Sequence, residues 1–112
     1  MIDQEIKAAT PPKTKTFLVS TRSKPSPKSD HFGCYRAAVW TVWVLAELQS
    51  EAVGKAKAHI EREGWIDHQL VVATPVTRSA HAPDAELLAR FDAAQTDGIA
   101  SLCDKLRGEA KS

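Results

Sequence analysis

The sequence is poor in the features that mark specialised protein classes. It has two cysteines in 112 residues, Cys34 and Cys103. One bridge is conceivable, but no disulfide framework, so reduced thiols and a cytoplasmic setting are the expectation. No second C-x-x-C or H-x-x-x-H pair exists to complete a zinc set, so no metal and no cofactor is expected. Phosphate-loop, dinucleotide-glycine and nucleophile-elbow patterns are absent too. The longest apolar run, Ala37 to Ala46, is far short of the ~20 residues a membrane span needs. The first residues, Met-Ile-Asp-Gln-Glu-Ile-Lys, lack a basic stretch followed by an apolar one, so no signal peptide is expected. Net charge is only +1, which makes no electrostatic case for nucleic acid or membrane over the whole chain. No internal repeat is evident.

What remains is ordinary globular material, 43% hydrophobic and 26% charged, in a length that fits one domain. Residues 1–13 read as a flexible tail, because Pro11-Pro12 ends any helix begun by Ile2 and Ile6. Residues 14–107 read as a single α+β domain and 108–112 as a frayed end. Within the domain, Thr14 to Arg22 is rich in β-branched and aromatic types and predicts a first strand, with Phe17, Val19 and Thr21 on one face. Lys15 at its start suits an edge.

The stretch from Cys34 to Val76 organises the chain. Tyr35 to Ala46 is apolar on both faces, as a central strand is, and predicts strand two. Ser50 is a suitable N-cap for a helix whose Ala52, Val53, Ala56 and Ile60 recur at helical spacing. Gly64 stands where a left-handed C-cap belongs, with Trp65 positioned to pack back on the last turn. Gln69 to Val76 predicts strand three, with Leu70, Val72, Thr74 and Val76 sharing a face. A helix between strands two and three predicts that they are parallel. Asp84 caps a second helix, whose stripe of Leu88, Phe91, Gln95, Ile99, Leu102 and Leu106 predicts a helix running to the end of the domain, bent at Gly98.

The pattern Val42-x-Val44-x-Ala46, then Ser50-Glu51 with Ala56, then Ile60-x-x-x-Gly64-Trp65 resembles small bacterial proteins built of a hairpin, a helix and a strand. The resemblance spans about a third of the chain. It implies a ferredoxin-like, split β-α-β arrangement and supplies no catalytic residues. The expectation is a small three-stranded sheet in β-β-α-β-α order with two helices on one face.

Chemistry-bearing residues are sparse. Asp30, His31 and Cys34 form the only polar cluster, on a loop of residues 23–33 containing two prolines and three serines. A thiolate beside an imidazolium is a nucleophile, and the same pair is half a metal site. An incidental or structural role is favoured over either. The loop itself is the foremost candidate for binding, since long loops are often functional. Lys7, Lys13, Lys15, Arg22, Lys24 and Lys28 give the first part of the chain a basic bias suited to an acidic partner or nucleic acid; a solvated segment is favoured. Phe32 to Trp40 superficially matches an RNA-stacking strand, without its basic-glycine start.

Trp40 and Trp43 are three apart, so in an unbulged strand their indoles point to opposite faces. With helices on one face only, the second Trp, with Leu18, Val71 and Ala73, makes an apolar face left in water. The leading functional expectation is therefore a non-enzymatic protein acting by protein–protein contact, as a homodimer formed on that face. A loop folding over the patch in a monomer is the competing reading. A nucleic-acid accessory role through residues 7–28, and a small enzyme or metal site at His31 and Cys34, are the alternatives.

Overall fold

The computed structural model describes residues 14–107. The predicted tail at 1–13, with Lys7 and Lys13, and the predicted fray at 108–112 lie outside the described residues. The order is β1 (Lys15–Pro25), β2 (Tyr35–Ala46), α1 (Gln49–Arg62), β3 (Trp65–Pro75), a 3₁₀ turn (Arg78–His81), α2 (Ala85–Asp97) and β4 (Ile99–Arg107). The class is α+β, but the sheet has four strands, not three. Their spatial order is β3-β1-β2-β4 and every neighbouring pair is antiparallel.

The fourth strand lies where the sequence predicts the end of a helix. Ile99, Leu102 and Leu106 continue the three-and-four spacing of α2, but Gly98 takes φ +84° and its N–H closes on the Ala94 carbonyl at 2.8 Å. The chain then reverses and pairs Ile99 with Val44 through Arg107 with Tyr35. The two-faced apolarity of β2 explains the demand: a central strand needs a neighbour on each side. β1 supplies one and β4 the other. Strand three is not beside strand two. The two run in the same direction, but β1 is inserted between them, so Lys15 starts a central strand and not an edge.

The helices cover opposite faces, which departs from the one-face, ferredoxin-like expectation. On one face, Phe17 and Val19 of β1 and Trp40, Val42, Val44 and Ala46 of β2 pack against Ala52, Ala56 and Ile60 of α1, with Trp65. On the other, Trp43 packs against Phe91 and Ala94 of α2, with Leu18, Leu87, Ala100 and Leu102 at the margin. The opposition of Trp40 and Trp43 is as the spacing predicts. The open face is not, because α2 closes it: Trp43 is wholly buried and Trp40 is 6% exposed. The Trp43 indole N–H donates to His81 Nε2 at 2.9 Å, so the 3₁₀ turn also belongs to this second core. Gln95 Nε2 donates to the Thr16 hydroxyl at 2.8 Å, and the Arg78 guanidinium grips Asp92 through two hydrogen bonds, holding that carboxyl below its usual pKa.

Local signals hold at two helix ends, Asp84 and Gly64, and fail at Ser50 and at Gly98, where the helix stops instead of bending. Asp84 accepts from the N–H groups of Glu86 and Leu87, as an N-cap does. Gly64 follows α1 with φ +95°, and Gly98 follows α2. Ser50 is not the cap of α1: the cap is Leu48, two residues earlier, which offers no side-chain bond. The Glu51 carboxylate reaches back to accept from the Glu47 N–H at 3.1 Å, which ties the chain ahead of the helix to its first turn. That backbone bond, with Lys55 nearby, lowers the Glu51 pKa.

Candidate functional site

Three features outside the cores carry chemistry. The first is the outer strand β3. Leu70, Val71 and Val72 are 49%, 66% and 38% exposed. Three consecutive large aliphatics cannot be exposed on a regular strand over a core, because alternate residues would point inward. A bulge permits it here: Thr21 pairs with Leu70 and Ser20 with Val72, leaving Val71 without a partner on β1. The bulge also puts Leu70 and Val72 on opposite faces, against the single face the sequence suggests. At its far end the strand's edge is capped, since Gln49 Nε2 donates to the Ala73 carbonyl at 2.6 Å.

The second feature is a polar chain that sequence reading missed. The Ser23 hydroxyl lies 2.7 Å from His68 Nδ1, and His68 Nε2 lies 3.2 Å from a Glu61 carboxylate oxygen. Thr21 Oγ1 is 3.4 Å from Ser23 Oγ and extends the chain inward. A proton on Nε2 lets the imidazole donate to Glu61 while Nδ1 accepts from Ser23. Serine, imidazole and carboxylate in this order have the components of an acyl-transfer triad. Access decides against that chemistry: Ser23 is 0% exposed, sealed between sheet and α1. The chain instead braces β1, β3 and α1 together. A second bulge creates it, because the single Ser23 faces both Asp67 and His68 of β3. Asp67 is the one described non-glycine residue with positive φ, at 56°. No feature of spacing in the sequence announces such a bulge.

The third feature is the end of the sheet beneath the loop between β1 and β2. The loop is pinned to the body of the domain. Ser26 N–H donates to the Gly64 carbonyl at 2.8 Å, and the His31 ring stacks on Trp65 with centroids 5.0 Å apart. Between loop and sheet lies a cavity of about 330 Å³ lined by Lys24, Phe32, Tyr35, Arg36, Ile66 and Asp67, among others.

The sequence-predicted residues distribute unevenly among these features. Val71 is on the surface as expected. Trp40 and Trp43 are core, and Leu18 is half-buried against α2, so they do not form an interaction face. His31 is engaged with Trp65 while Asp30 and Cys34 face solvent. Among the described residues, no three His, Cys, Asp or Glu side chains converge on a metal position. Cys103 is half-buried on β4 beside Trp40, and burial pushes its thiol pKa up. Of the basic set, Arg22, Lys24 and Lys28 gather at the loop end while Lys15 lies at the opposite end of β1, so they do not make one patch. No helix of the described residues is long and apolar enough to cross a membrane.

Comparisons with protein-family profiles, with curated proteins and with solved structures find no match to this chain.

Proposed function

We propose that this protein is a non-enzymatic interaction module that self-associates through the outer edge of β3. The observation that carries the reading is the run Leu70-Val71-Val72, exposed at 49%, 66% and 38% on a strand with no outer neighbour among the described residues. Each aliphatic taken from water contributes about 25 cal/mol per Å² of buried apolar surface. An edge also presents unpaired N–H and C=O groups, which a second strand satisfies. Two copies related by a two-fold axis bring antiparallel strands together, so one sequence serves both sides. The helices cover the faces of β1 and β2, while Leu70, Val71 and Val72 on the outer strand stay exposed, which leaves β3 open to a partner. The bulges and the Gln49 cap at Ala73 confine pairing to a short segment. That favours a dimer in the micromolar range over open-ended stacking of sheets.

The test is sedimentation of the full chain across a concentration series, beside Val71→Lys. Val71 has no strand partner among the described residues and is the most exposed of the three, so the substitution leaves the cores intact. The wild type is expected to shift from monomer to dimer, and Val71→Lys to remain monomeric with an unchanged melting temperature. A wild type that stays monomeric at every concentration rejects the reading. A variant that dimerises as well as the wild type moves the interface away from this edge.

A further inference from the structure

We propose that the cavity beneath the β1–β2 loop is a binding site for a small aromatic acid. Its volume, about 330 Å³, is at the lower end of the ~300–1,000 Å³ typical of ligand pockets. All three chain segments that meet there contribute: Lys24 from the end of β1, Phe32 from the loop with Tyr35 and Arg36 from the start of β2, and Ile66 and Asp67 from the start of β3. Lys24 and Ile66 are register partners across the β1–β3 ladder, so a cation and an aliphatic wall stand side by side.

The walls specify a flat apolar body. Phe32 is 56% exposed, an unusual position for a benzyl side chain, and it stands at the cavity's lip. Tyr35 and Ile66 supply apolar surface on the sheet side. A ring inserted there removes part of Phe32 from water and stacks in the offset or edge geometry aromatic pairs prefer.

The charge specifies an anion. Two lining residues, Lys24 and Arg36, are cations, against one lining carboxylate, Asp67. Among the described residues, Lys24 forms no ion pair. Outside the cavity lining, Lys105 Nζ and the Arg107 guanidinium carbon of β4 lie 5.7 Å and 5.9 Å from the Tyr35 centroid and add to the positive potential at this end of the sheet. Asp67 then serves as acceptor for a hydrogen-bond donor on the ligand. Its left-handed backbone, φ 56°, is the bulge conformation that turns this residue at the cavity rim. The geometry does not depend on self-association, since Leu70, Val71 and Val72 do not line this cavity.

Amide chemical-shift titration of the full chain with 2-naphthoate tests the site, with the cation 2-naphthylmethylammonium as comparator. The expected result is saturable shifts at residues 24–36 and 66–67, with 2-naphthoate bound at least about fivefold more tightly than the cation, or about 1 kcal/mol. Phe32→Ala is expected to weaken 2-naphthoate by at least about fivefold and Lys24→Glu by at least about tenfold. Both side chains are exposed at the cavity rim, and the dispersed amide spectrum of each variant verifies its fold. The proposal is overturned by a smaller preference for the anion, by shifts confined to residues 70–72, by no saturable shifts, or by folded variants that bind like the wild type.

Discussion

Trp43→Ala is expected to destabilise the protein by about 3–5 kcal/mol, the range for removing a large buried aromatic. The side chain is wholly buried on the face that α2 covers, against Phe91 and Ala94. Truncation removes its apolar contacts and opens a void that α2 cannot fill without breaking the Gln95–Thr16 hydrogen bond to β1. It also orphans His81 Nε2, which is 8% exposed at the residue level and accepts the indole N–H. Trp43→Phe separates the two parts. It keeps most of the ring and loses the hydrogen bond, so its cost is expected to be about 1–3 kcal/mol. For a domain near this size, 1 kcal/mol corresponds to about 4–8 °C in melting temperature, so the alanine variant melts at least about 12 °C lower or does not fold. A loss below about 1 kcal/mol would mean that this face is open, as a sheet with both helices on one side would leave it.

The second large effect is expected at Gly64. Its φ of +95° disfavours any L-residue, at about 1–2 kcal/mol, and a β-branched one more. Space compounds the strain: a Cβ there would lie 2.9 Å from the Ser29 hydroxyl oxygen and 3.0 Å from its Cβ. The backbone is committed as well, because the Gly64 carbonyl accepts the Ser26 N–H that pins the loop. Gly64→Val is therefore expected to cost more than about 2 kcal/mol, and chemical denaturation measures it. Gly64→Ala paired with Ser29→Gly divides the cost. The double variant relieves the steric part and leaves the φ part, so the two changes are expected to be non-additive. A neutral Gly64→Val contradicts both arguments at once.

Gly64 also shows how far the sequence is legible. Its left-handed conformation follows from a glycine after a helix and before Trp65; its closeness to Ser29 does not. Strand one, α1 and the Asp84 cap were readable for the same local reasons, as was the opposition of Trp40 and Trp43. Residues 99–107 were not. Ile99, Leu102 and Leu106 fit a helical stripe, and on β4 the same residues fit a strand, with Ile99 beside Val44 and Leu102 beside Thr41. The deciding information was tertiary: a central β2 lacked a second neighbour. Without β4 and the shorter α2 that precedes it, one sheet face looks open and Trp40, Trp43 and Leu18 look like an interface; with them, all three pack inside. The polar chain and the cavity were hidden for another reason. Both depend on bulges that place Asp67 and His68 opposite Ser23, and register slips of one residue leave no mark on composition or period.

Self-association through the β3 edge is tested most directly by isotope-filtered NOE spectroscopy on a mixture of labelled and unlabelled chains above the association concentration. The account predicts intermolecular contacts from the Val71 methyl groups to the Leu70, Val71 and Val72 side chains of the other copy. Intermolecular contacts that instead reach Leu18, Phe91 or the loop, or their complete absence in a sample that sediments as a dimer, would contradict it.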